Sequence, residues 1–182
     1  MTSIWYEVFP VTLSSRHAVL IKPLDEGQIP PWMIPHQPML HPNTLVVQQL
    51  MTFFGAFFGE TSMIVHSTSW RYEQTTDQLL LTYLAVLPQG QWLDQWVASK
   101  RIVVEPIRAI RMVCGDHLAP PSHIGPTHVL AHALDHLAQL STYDPAVRDV
   151  LEPSWHEILQ QRGPKVAGYL KETPQTAMSL RL

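Results

Sequence analysis

The stretch from Asn43 to Gly59, NTLVVQQLMTFFGAFFG, contains no charged side chain. Wound as a helix at about 100° per residue, it puts Val46, Val47, Leu50, Phe53, Phe54, Phe57 and Phe58 on one broad face. Thr44, Gln48, Thr52, Gly55 and Gly59 form a narrow polar or small stripe opposite. Asn43 suits the N-cap, with Pro42 just before it, and Gly59 suits the stop. A helix with so wide an apolar face must be covered on most sides, so the rest of the domain is expected to be built over it. The small stripe would pack inside the same chain, under the helix at 127–140, or against a second subunit.

The chain supplies the material for such a cover. Its 182 residues fit one domain, and 46% of them are hydrophobic. The sequence turns polar and loses periodicity beyond Gly168, which predicts a globular domain over 1–168 and a mobile tail over 169–182. A net charge of -3 without a Lys/Arg cluster argues against a nucleic-acid surface, which needs a basic patch. The single cysteine, Cys114, allows no disulfide within the chain and fits a reducing compartment. MTSIWYEVFPVTL lacks the basic start and long apolar run of a signal peptide, and 43–59 is short for a membrane span. A cytoplasmic protein that does not insert into membranes is the expectation.

Read in order, Ile4 to Leu13 is a strand broken at Pro10, and HAVLIK (His17–Lys22) is a short central strand. Asp25-Glu26-Gly27 is a turn. The proline-rich run from Pro30 to Pro42 is an extended loop. Ser62 to Tyr72 reads as a strand with Met63, Val65, Ser67 and Ser69 on one side and Ile64, His66, Thr68 and Trp70 on the other. It pairs through a turn at Gln74–Asp77 with LLLTYLAVL (Leu79–Leu87) as a hairpin. Trp92, Leu93, Trp96 and Val97 have helical spacing. Arg101–Glu105 and Arg108–Val113 are further strand candidates, and Cys114–Gly125 is a loop. Thr127 to Leu140 is a second strong helix with Val129, Leu130, Ala133, Leu134, Leu137 and Ala138 on its apolar face. Pro145–Leu151 and Trp155–Gln161 are short helices, the latter capped by Ser154. The expected fold class is α/β in the α+β sense: a mixed sheet with helices on both faces and extra C-terminal helices.

HAVLIK, then Trp-x-x-Pro at Trp32–Pro35, a helix, HSTSWRY and LLLTYLAVL stand in an order that resembles a Nudix domain over residues 17–87. The resemblance implies a sandwich of helices around a mixed sheet. It does not carry over the family's chemistry. The Nudix box, G-x5-E-x7-R-E-U-x-E-E-x-G-U, holds Mg²⁺ or Mn²⁺ on several carboxylates beside a pyrophosphate. Here His36 and Gln37 follow Pro35 in place of two glycines. With Gly55 set on the late glycine of the box, Gln48 and Gln49 fall at the Arg-Glu pair, and Thr52 and Phe53 fall at the glutamates. No acidic residue lies between Glu26 and Glu60.

Two constellations carry functional candidates. His128, His132 and His136 in HVLAHALDH recur every four residues and form one helical stripe. A pair at i and i+4 can share a metal such as zinc, completed by Asp116, His117 or His123 from the preceding loop. All three are metal-ligand candidates, and the same stripe also describes the wet face of an amphipathic helix. In the hairpin, His66, Ser67, Ser69 and Arg71 place polar groups over the sheet, with Trp70 or Tyr72 as a stacking wall. Trp32, His66, Trp70 and Arg71 are therefore the ligand-binding candidates, although one solvated sheet face gives the same alternation. Cys114, beside Asp116 and His117, is a nucleophile candidate or a small buried hydrophobe. The reading that follows is a Nudix-like domain without pyrophosphohydrolase activity that binds a small ligand or a protein, a second copy of itself included. The alternative is a hydrolase dependent on a transition metal, with zinc as cofactor, using the histidines of 127–140.

Overall fold

The computed structural model describes residues 2–15, 17–23, 32–54, 63–99, 102–107 and 125–160. Among these residues, six strands form one mixed sheet: β1 (Ser3–Ser14), β2 (His17–Pro23), β3 (Trp32–Pro35), β4 (Ile64–Glu73), β5 (Gln78–Val86) and β6 (Ile102–Pro106). Five helices among the described residues accompany it: α1 (Pro42–Phe54), α2 (Trp92–Ala98), α3 (Pro126–Tyr143), α4 (Pro145–Val150) and α5 (Pro153–Gln160). The strand order is β4-β5-β1-β2-β6, with β3 also on β1. β1 runs parallel to β5, and every other described pair is antiparallel. The α+β class with helices on both faces of a mixed sheet is therefore what the chain adopts. No helix among the described residues is long and apolar enough to cross a membrane.

β1 is the axis of the sheet, and it is not broken at Pro10. One edge pairs with β5 from Ser3 to Val11. The other edge takes β3 against Trp5–Val8 and β2 against Val11–Ser14. The amide of Leu87 donates to the Val11 carbonyl, so Val11 turns its backbone groups toward β5. Successive residues of a strand point their backbone groups to opposite edges, so Pro10 presents its missing N–H to the gap between β3 and β2. A proline is tolerated there because, among the described residues, no ladder bond is lost. Within the proline-rich run, Trp32 to Pro35 is extended enough to fill the edge beside Trp5–Val8, where a loop was expected.

Alternation along β1 divides the core. Tyr6 and Val8 face α1 and α2, and Phe9, Val11 and Leu13 face α3 and α5. On the first face α1 buries Leu45, Val46, Leu50 and Phe54. The Phe54 ring meets Trp32, Trp92 and Trp96, each at 5.5 Å between centroids. The helix starts earlier than expected. Pro42 is its first residue, the His41 carbonyl accepts from Leu45, and His41 Nδ1 accepts from the Asn43 amide at 3.3 Å. Proline at the first helical position wastes no donor, which leaves the cap to His41 rather than Asn43. Gly55 to Gly59, the expected end of the helix, lie outside the described residues. Thr44, Gln48 and Thr52 are exposed, and they cannot pack under α3, which lies across the sheet.

On the second face α3 buries the whole expected apolar set. α4 is capped by Asp144, whose carboxylate accepts from the Ala146 amide at 2.9 Å, with Pro145 at its first position. α5 begins at Pro153, so Ser154 lies inside it, and the Glu152 carbonyl accepts from Trp155 at the cap. The expected turn at 25–27, the strand at 108–113, the Cys114 loop to residue 124 and the tail at 169–182 lie outside the described residues.

Candidate functional site

The register of β4 decides which side chains meet. It pairs Ser67 with Tyr83 and Ser69 with Thr82, leaving Thr68 as an extra residue in a bulge. A bulge of one residue reverses the facing of everything beyond it. Simple alternation puts His66 with Trp70 and leaves Arg71 opposite. The bulge instead places His66, Ser69 and Arg71 on the α3 face, opposite Leu84, Thr82 and Leu80, and turns Trp70 to the α1 face opposite Leu81. The four ligand-binding candidates therefore do not share one pocket. Trp32 is half-buried against Phe53, with centroids 4.1 Å apart, and its indole N–H reaches the Ile21 carbonyl at 3.4 Å. Trp70 is 72% exposed on the same side. His66 and Arg71 lie across the sheet from both.

On the α3 face the sheet carries a buried ion pair. Glu7, on the central strand, is 0% exposed. The Arg71 guanidinium grips it as a fork, Nη1 to Oε1 and Nη2 to Oε2, the latter at 2.8 Å. The Thr82 hydroxyl donates to Oε1 as well. Pairing Glu7 with Thr82 on β5, and Thr82 with Ser69 on β4, puts the three strands in line beneath the pair. A buried carboxylate costs several kcal/mol in lost hydration, roughly, unless its lone pairs are used, and the fork and hydroxyl use them. So engaged, Glu7 is an anchor rather than a free base. Arg71 keeps 25% of its side-chain surface exposed. Trp5 lies on the same face in the next row, since Trp5 and Arg71 both pair with Leu80.

One step along β4, α3 crosses the sheet edge and the histidines meet. His66 Nε2 and His136 Nδ1 are 3.2 Å apart, with ring planes 21° from parallel. His132 lies one turn back, its ring 6.2 Å from that of His136. His66 and His136 are both half-buried, so this part of the stripe faces the edge of the sheet and not open solvent. Burial, first, and the neighbouring His136 hold His66 below the ordinary imidazole value, and Asp144 partly opposes them. Burial, then His132, does the same for His136. Both rings are thus biased to the neutral form, which can donate from one nitrogen and accept at the other. His128 takes another part: its Nδ1 accepts from the Gly125 amide at 3.0 Å and closes the start of α3. Among the described residues no three His, Cys, Asp or Glu side chains are grouped to hold a metal. The loop candidates Cys114, Asp116, His117 and His123 lie outside the described residues.

A cavity of about 320 Å³ opens farther along the same edge, between Ile64 and Val86 on one side and Leu151, Glu152 and Trp155 on the other. It is remote from Arg71, and Glu152 at its rim is engaged by the Gln89 amide at 2.8 Å.

Sequence reasoning named His66, Arg71, His132 and His136 but passed over Glu7, Thr82 and Trp5. The available signal was Glu7 itself, a lone acid in the apolar run IWYEVF. Buried acids in strands are rare without a partner, so it called for a cation opposite. Compared with known protein families and with curated proteins, the chain matches none.

Proposed function

We propose that the chain is a Nudix-like domain without pyrophosphohydrolase chemistry, acting as a binding module for a small ligand on the α3 face of its sheet. The observation that carries this reading is the buried Glu7–Arg71–Thr82 group. A fully buried carboxylate contributes little to stability compared with an apolar residue, whereas it fixes the guanidinium in one orientation beside Ser69. A guanidinium has five donors and the fork uses two, so an orientated, partly exposed Arg71 suits a carbonyl, carboxylate or phosphoryl oxygen on the ligand. Trp5 offers a flat apolar neighbour in the adjoining row. The absence of hydrolysis rests on α1. Its outward residues Asn43, Thr44, Gln48, Gln49 and Thr52 supply amides and hydroxyls and no carboxylate for a hard divalent cation.

The test is a thermal-shift panel of nucleotides, nucleotide sugars and small organic acids, run beside a phosphate-release assay with Mg²⁺ and Mn²⁺. At least one ligand should raise the melting temperature, and Glu7→Leu with Arg71→Met should remove that gain. No member should be turned over. Metal-dependent phosphate release that is lost on replacing Gln48 and Gln49 would sink the reading, as would ligand binding indifferent to Arg71.

A further inference from the structure

We propose that His66 Nε2 and His136 Nδ1 together bind a transition-metal ion, of which zinc is the type, where α3 crosses the edge strand β4. The two nitrogens come from different elements and stand 3.2 Å apart. Two nitrogens bonded to one tetrahedral zinc at 2.0–2.1 Å lie about 3.3–3.4 Å apart, so the pair is already spaced as one edge of such a shell. The ring planes are 21° apart with centroids at 5.1 Å, so the two nitrogens stand closer together than the ring centres do.

In the metal-free protein one proton lies between these nitrogens. The accepting ring already carries its proton on its outer nitrogen; moving the donating ring to the same kind of tautomer, so that Nδ1 of His66 and Nε2 of His136 are both protonated, clears both lone pairs without changing the charge. The ion then enters the place that proton has left, and small rotations of the rings aim both lone pairs at it. Among the described residues no third side chain is grouped with the pair, so the protein supplies two bonds. Water or a ligand takes the rest, which makes the site open rather than a closed structural one. Nitrogen donors select Zn²⁺, Ni²⁺ or Cu²⁺ over Mg²⁺. His128 is excluded because its Nδ1 closes the start of α3. The proposal differs from the helix-only triad in its principal partner, which comes from the sheet, and it does not depend on the Arg71 reading.

The experiment titrates the full chain with ZnCl₂ alone, by calorimetry and by melting. One ion per chain and a higher melting temperature are expected. His66→Gln and His136→Gln should each weaken binding by at least about tenfold, and His128→Gln should leave the affinity unchanged. Should either of the first two variants fail to fold, nitrogen-15 spectra of the wild-type imidazoles decide. On adding Zn²⁺ the signals of His66 Nε2 and His136 Nδ1 must move while the outer nitrogens stay protonated. No heat and no melting shift in the wild type, zinc binding that survives loss of His66, or a His66 ring that zinc does not perturb would each overturn the proposal.

Discussion

Replacing Arg71 by Met should be among the most damaging single changes on the sheet, and replacing Glu7 at the same time should restore most of the loss. The structure sets the sizes. Arg71→Met leaves the fully buried Glu7 carboxylate with Thr82 alone. Breaking a buried ion pair from one side costs about 3–5 kcal/mol. The lower end, about 3 kcal/mol, applies here because the arginine side is partly open to water. Glu7→Leu is milder, about 1–2 kcal/mol, since the guanidinium can turn outward and keep its hydration. The double variant loses both charges and strands only the Thr82 hydroxyl, a cost of about 1 kcal/mol. The singles thus sum to about 4–5 kcal/mol against about 1 for the pair, a coupling of about 3–4 kcal/mol. Urea unfolding followed by tryptophan fluorescence measures it, provided the m-value is unchanged across the four proteins. A double variant as unstable as the two singles added together would show that the carboxylate and guanidinium do not depend on each other.

Three further outcomes are expected. Phe54→Ala should cost about 3–5 kcal/mol, as for truncation of a fully buried ring, and a loss below about 1 kcal/mol in urea would mean that α1 does not anchor this face. Gly90→Ala should cost about 1–3 kcal/mol, because a Cβ there would stand 2.7 Å from the Trp92 ring; an unchanged melting temperature would show that the indole has room to move. The metal-free protein should lose stability as the pH falls from about 7.5 to about 5.5. Burial and the neighbouring imidazoles hold His66 and His136 below 6.5, so the unfolded chain takes up protons first. The stability is complete above the unfolded value and is lost as the pH falls through the folded ones. The drop should shrink in His66→Gln and His136→Gln, and an identical drop in both variants would refute the assignment.

The elements with strong periodicity were legible in the sequence. α3 buries each of the six apolar residues that its spacing selected, because a long helix repeats its signal over several turns. The hairpin of β4 and β5 was legible for the same reason. What the sequence concealed was pairing. Pro10 marks a break only if both edges of its strand need donors, and the gap between β3 and β2 removes that need. The bulge at Thr68 leaves no mark in the local pattern, since serine and threonine suit either face. It nevertheless determines that His66 meets α3 in the company of Arg71 and not of Trp70. Glu7 could be noticed alone, but its partners are 64 and 75 positions away, beyond any window in which periodicity works. The histidine stripe was visible, while its partner on β4 depended on α3 crossing one particular edge.

The parallel pairing of β1 with β5 also governs how the chain can be made. β1 pairs with residues 75 positions later, Ser3 with Gln78 for example. At about 5–20 residues per second, ribosomal synthesis delivers that partner about 4–15 s after β1 itself. β2 can fold back on the C-terminal half of β1 almost at once, and β3 can follow on its N-terminal half. The edge that will receive β5 must wait, carrying the apolar sequence IWYEVFPVTL. During that interval the nascent chain displays a long unpaired strand of the kind that recruits other chains. Pro10 does not protect it, because its missing donor points away from the waiting edge. That edge is covered only when the hairpin of β4 and β5 emerges and β5 pairs along it from Ser3 to Val11.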